Sequence, residues 1–184
     1  FIVVIADGFV PEYETIWRTN SFYGDFETYV YSDLVTIVDD KYRTINSPAG
    51  RAIYGHGFGG LGAIVNAIRQ PDIFGLCLSL SAPVNFDFDG IPHSQGTNIT
   101  LAMLAEQNDY GTISKTWTPE AGPISQYLFS VAAAYSPNLS KPTKVDFPFN
   151  SMGQVVQEVA DLWRDKSVSN IFSDNLATLT SREH

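Results

Sequence analysis

Residues 51–63 read Arg-Ala-Ile-Tyr-Gly-His-Gly-Phe-Gly-Gly-Leu-Gly-Ala (RAIYGHGFGGLGA). Arg51 to Tyr54 read as the end of a strand, and a glycine-rich turn follows. Leu61, Ala63, Ile64, Val65, Ala67 and Ile68 then give a compact apolar helix. That helix ends at Gln70-Pro71, because the residue before a proline is biased away from the α region. The order is that of a nucleophile elbow, G-x-S-x-G, in which a sharp strand-to-helix turn lifts one side chain above a sheet. Gly55, Gly59 and Gly60 supply the flanking glycines. Gly57 stands where the serine belongs, and a glycine has no side chain with which to attack a carbonyl.

Two other readings of the same stretch compete. HGFGG also suits an oxyanion loop between an early strand and the first helix of a hydrolase, but the long helix-like segment Glu27–Tyr42 precedes it here. A glycine-rich helix N-terminus can also bind an anion through its amides.

Working outward, Leu76–Leu80 (LCLSL) reads as a buried parallel strand. Phe1–Ile5 (FIVVI) reads as another, interior to the sheet, and ends at the turn Ala6-Asp7-Gly8. Glu27–Tyr42 carries Val30, Leu34, Ile37, Val38 and Tyr42 at near-helical spacing. The β-α-β-α-β order predicts an α/β sheet, mostly parallel, with helices on both faces. Beyond Ser81-Ala82-Pro83 the periodicity weakens. Helices are expected over Ile124–Tyr135, over Ser151–Arg164 with Ser151 as the cap, and over Ser169–Leu179. The stretch 84–184 carries no further clear strand, so it is read as a helical cap-like insertion within one domain, 1–184. Both ends read as cuts through a larger domain, which predicts a longer polypeptide or a homo-oligomer formed through exposed sheet edges.

Composition bounds the function. With 44% hydrophobic and 17% charged residues the chain is globular, and 184 residues suffice for one real core. A net charge of −9 argues against a nucleic-acid partner, which needs clustered Lys and Arg. No stretch reaches the length of a membrane span and no signal peptide is visible. The single cysteine, Cys77, lies in an apolar strand and reads as a small buried hydrophobe, so the cysteine count leaves the compartment open. Sequons at Asn98-Ile99-Thr100 and Asn138-Leu139-Ser140 matter only in a secreted eukaryotic chain. No HExxH, phosphate loop or metal cluster occurs, so neither metal nor cofactor is expected, and Asp39-Asp40 reads as a solvated helix face.

FIVVIADG, NSFYGDFETYVYSDLVTIVDDKYRT and RAIYGHGFGGLGAIVNAIRQPDIFGLCLSLSAP together resemble the putative-esterase family of α/β-hydrolases, with its esterase D-like, feruloyl-esterase-like and mycolyltransferase-like members. The resemblance spans residues 1–83; AAAYSPNLSKP with VDFPF resembles an insertion of bacterial members. It implies an α/β-hydrolase fold and ester hydrolysis or acyl transfer, with the family's serine at Gly57. It also implies that the backbone N–H of Phe58 belongs to the oxyanion hole. The family's other oxyanion loop falls upstream of Phe1, and its acid and histidine fall beyond the chain. His56, His93 and His184 do not match the catalytic histidine. Ser79 and Ser81, at the end of the next strand, read as backbone hydrogen-bond partners rather than nucleophiles.

Three functions therefore compete: an esterase domain that has lost its nucleophile, a non-catalytic binder of a carbohydrate or acyl ligand, and a structural or oligomer-forming module. The aromatic loop at Trp17, Phe22 and Tyr23 suits the second.

Overall fold

A computed structural model describes residues 1–10, 15–21, 23–86, 123–150 and 154–181. A helical rod runs without a break through α1 (Phe26–Thr28), a π-helical segment (Tyr29–Leu34) and α2 (Val35–Lys41). Asp25 caps its start, accepting from the Thr28 N–H at 3.1 Å. A 3₁₀ turn at Pro48–Gly50 leads into β1 (Ala52–His56). Then come α3 (Phe58–Arg69) and β2 (Leu76–Leu80). The C-terminal part holds α4 (Pro123–Tyr135), α5 (Gln157–Arg164) and α6 (Val168–Thr180).

β1 and β2 pair in parallel, with Ala52 opposite Leu76 and His56 opposite Leu80. The two faces of this ribbon differ. Ile53, Gly55, Cys77 and Ser79 turn to α3, and the Ser79 hydroxyl donates to the Gly60 carbonyl at 2.9 Å. The opposite face carries Tyr54, Leu76, Leu78 and Leu80, each about half exposed or more. Helices on both faces were expected from the sequence; among the described residues only the α3 face is covered. Gly55 explains how closely α3 lies, since a Cβ there would stand 2.0 Å from the Gly59 carbonyl oxygen.

One hydrophobic core joins the sheet unit to the C-terminal helices. Leu61, Val65 and Ile68 of α3 meet Phe129, Val131, Ala132 and Tyr135 of α4, Trp163 of α5, and Val168 and Ile171 of α6. Phe86 sits edge-on against Tyr135 and Trp163 at 5.0 and 6.3 Å. Its N–H donates to the Ser167 hydroxyl at 2.8 Å, which fastens the chain after β2 to the start of α6. The buried Trp163 indole N–H finds the Ser136 hydroxyl at 2.8 Å, as a buried indole must.

Four expectations change. Phe1–Ile5 is not a strand; its side chains are exposed, Phe1 and Ile5 almost fully. An interior strand needs ladder partners on both sides, and no described strand lies beside it. Among the described residues the strands therefore number two, β1 and β2, in place of the three expected. The helix expected from Ser151 begins at Gln157; Val155 instead forms an extended bridge with Phe149, a conformation its β-branched side chain favours, and Ser151 lies outside the described residues. Asp39 is no solvated helix residue. It pairs with Arg51, side chains only 17% and 15% exposed, and accepts from the Thr44 hydroxyl at 2.7 Å, which ties α2 to the entry of β1.

Candidate functional site

Gly57 joins β1 to α3 with φ 57° and ψ −125°, a backbone shape that L side chains adopt only under strain. Its N–H donates to the Leu80 carbonyl at 2.9 Å, so the turn is clamped to the end of β2. Its carbonyl accepts from Leu61 N–H at 3.1 Å, which opens α3. Nothing lies within 4 Å of a Cβ built on Gly57. Phe58 is the first residue of α3, so its N–H has no acceptor within the helix and stands at the positive end of the helix dipole.

His56, Phe58 and Gly59 line a cavity of about 450 Å³ above this turn. The loop residues Phe9, Thr15, Ile16 and Trp17 form a second wall, and Gln126 and Ser130 of α4 form a third. The Phe58 ring stacks on Tyr127 of α4, centroids 5.2 Å apart and planes 15° from parallel. Aromatic faces with a few polar groups suit a small, partly apolar ligand. Ile16 and Trp17 have positive φ, 43° and 60°, two consecutive strained residues in the cavity wall. The sequence offered Trp17 as a candidate and gave no sign of Thr15, Gln126 or Ser130. Nothing local marks a helix residue for a cavity that tertiary packing creates.

The other expected residues separate. Ser79 serves the backbone of α3, in keeping with its reading as a structural partner. Ser81 is exposed with φ 50°. Tyr23 packs against the core, whereas Phe22, His93 and His184 lie outside the described residues. Cys77 is partly rather than fully buried, and that burial pushes its thiol up. Among the described residues no group of three or more His, Cys, Asp and Glu could hold a metal ion. No described helix is long and apolar enough to cross a membrane.

A parallel strand, a left-handed turn and a helix N-terminus lie below a cleft at the strand's carboxyl end, the place where α/β sheets hold their ligands. The family model described as Putative esterase matches residues 10–168, and the chain belongs to that family. Membership implies an α/β-hydrolase type of fold, carboxylic-ester hydrolase in character, and small-molecule esters as the substrate class. No curated protein matches the chain.

Proposed function

We propose that this chain is an esterase-family domain, built for ester hydrolysis or acyl transfer, that does not cleave esters because Gly57 occupies the nucleophile position. One observation carries the reading: the strained backbone of Gly57 with free space above it, between residues that line the cavity. The turn has the shape that presents a side chain, and the side chain is missing. In the parent reaction serine attacks the acyl carbonyl, histidine carries the proton and backbone amides hold the oxyanion. Of these, the Phe58 N–H is the group we assign to the oxyanion in this chain. Removing the serine of a serine hydrolase costs on the order of 10⁶ in turnover.

We further assign residues 84–184 to a cap within a single domain. Gln126, Tyr127 and Ser130 of α4, which face the cavity or stack on Phe58, support it. A non-catalytic role for a carbohydrate or acyl ligand is the second reading, favoured by the aromatic walls Phe9, Trp17 and Phe58.

The test uses p-nitrophenyl acetate with the full chain. The unaltered protein should release nitrophenol no faster than buffer and carry no acetyl adduct by mass spectrometry. Gly57→Ser in a protein that also carries the family's acid and histidine should acquire an adduct at residue 57. Turnover by the unaltered chain that survives Ser79→Ala and Ser81→Ala would place the chemistry elsewhere.

A further inference from the structure

Away from the cavity, Arg18 is 4% exposed and enters a cluster with more cations than anions. Glu27, itself buried, contacts Arg18 Nε at 3.1 Å and Arg69 Nη1 at 2.5 Å, and accepts from the Thr19 N–H at 3.3 Å. The Arg18 pairing is a charge contact without hydrogen-bond alignment, and neither Nε nor Nη1 of Arg18 has a hydrogen-bond partner among the described residues. The Tyr135 hydroxyl, also buried, has none either. The Tyr135 ring gathers the remaining charge, with the Arg18 guanidinium 6.0 Å and the Lys166 ammonium 5.9 Å from its centroid. Lys166 forms no salt bridge among the described residues.

Three cations, Arg18, Arg69 and Lys166, therefore share the buried Glu27 and the exposed Asp165, in a place where unmatched N–H and O–H groups are costly. Guanidinium and ammonium groups both lie about the ring that carries the phenol, and Arg18 Nη1 and the Tyr135 hydroxyl have no hydrogen-bond acceptor among the described residues. We propose that Arg18, Lys166 and the Tyr135 hydroxyl form a site for one small oxyanion, of the carboxylate or phosphate type, beside the Arg18–Glu27–Arg69 ion pairs. An oxyanion accepts from the open Nη1 edge of Arg18, from Lys166 and from the phenol at once, and it balances the excess charge.

The electrostatics agree with that geometry. Burial, followed by the nearby Arg18 and Arg69 cations, holds the Lys166 ammonium below its usual range. Burial lowers Arg18 as well, with Arg69 adding to it, against the opposing pull of Tyr135 and Glu27. Burial also pushes the Tyr135 hydroxyl well up, so it remains a donor at any physiological pH. The site would link the loop at Arg18, the helical rod at Glu27, the end of α4 and the α5–α6 turn. It does not depend on the elbow or on any ester chemistry.

Thermal unfolding of the full chain tests it, with inorganic phosphate in one arm, sodium acetate in a second and sodium chloride of matched ionic strength as the control. A ligand at about 100 times its Kd shifts the folding equilibrium about 100-fold. The expected result is a saturable rise in Tm with phosphate, acetate or both, beyond the chloride control. The arm that responds tells whether the site prefers a tetrahedral or a planar oxyanion. Lys166→Met, at a partly buried side chain outside the hydrophobic core, should weaken the response about tenfold or more, and Lys166→Arg should restore most of it. Phosphorus NMR line broadening, lost in Lys166→Met, gives a second readout. No response beyond chloride in either arm, or an undiminished response in Lys166→Met, would overturn the proposal.

Discussion

The two faces of the β1–β2 ribbon carry opposite demands. Toward α3 the backbone of one element lies against the backbone of another, so that Gly55 has no room for a methyl group. On the other face Tyr54, Leu76, Leu78 and Leu80 are apolar and open, and nothing among the described residues rests on them. Identical strands thus supply one face where atoms are fixed to fractions of an ångström and one where side-chain identity has little to act on. Position in the contact map, not hydrophobicity, decides which residue matters.

The sharpest way to break this contrast is Gly55→Ala. The new Cβ would meet backbone atoms of Gly59 and Gly60, which cannot turn aside as a side chain would. A loss of about 3 kcal/mol or more is expected in urea unfolding, from overpacking at its upper end. A loss below about 1 kcal/mol would show that α3 floats on the sheet.

Gly57→Ala and Gly57→Ser come next. Space is open at this position, so the cost is one of backbone conformation alone, about 1–3 kcal/mol and nearly equal for the two. Unequal losses would show that the serine finds a partner, and would reveal the missing proton acceptor.

Asp25 tests an exposed position that acts through hydrogen bonds. The Thr19 hydroxyl, then the Thr28 hydroxyl and N–H, hold its carboxyl below its usual value of 3.8. Because the folded pKa is the lower one, its stabilisation is complete above about pH 4 and is lost as pH falls through the folded value. Asp25→Ala should cost about 1 kcal/mol at pH 7 and flatten the acid limb of the stability curve below pH 4. An unchanged limb would refute the cap's role.

The smallest effect belongs to the open face. Leu78→Thr should change stability by less than about 0.5 kcal/mol, because little buried area is lost. A loss comparable to that at Gly55 would mean that something covers this face in solution.

The strand–turn–helix around Gly57 was legible because its constraints are local. A glycine at a strand end, at the turn and in the first helical turn each answers a neighbour within a few residues. Strand β2 and helices α3, α4 and α6 were legible from apolar spacing in the same way, and the family followed from their motifs. Phe1–Ile5 failed because a strand exists only through its partners, and a β-rich run cannot show whether they are present. The Arg18–Glu27–Arg69 ion pairs were invisible: Glu27 and Arg69 stand 42 residues apart, and neither is unusual alone. Of the cavity's lining only Phe58 and Trp17 had been singled out for function in the sequence, and the rest depended on how α4 lies across the turn.

The left-handed backbone at residue 57 also gives substitution there a direction. A serine held at φ near 57° is a burden that only catalysis justifies; glycine lifts it. Once lifted, the released stability, of order 1–3 kcal/mol, can absorb neutral drift elsewhere in the domain. A later return to serine would meet a fold that no longer has that margin. On the proposed reading, position 57 would behave as a ratchet, letting the fold outlive its chemistry and making reversal harder the longer the glycine persists.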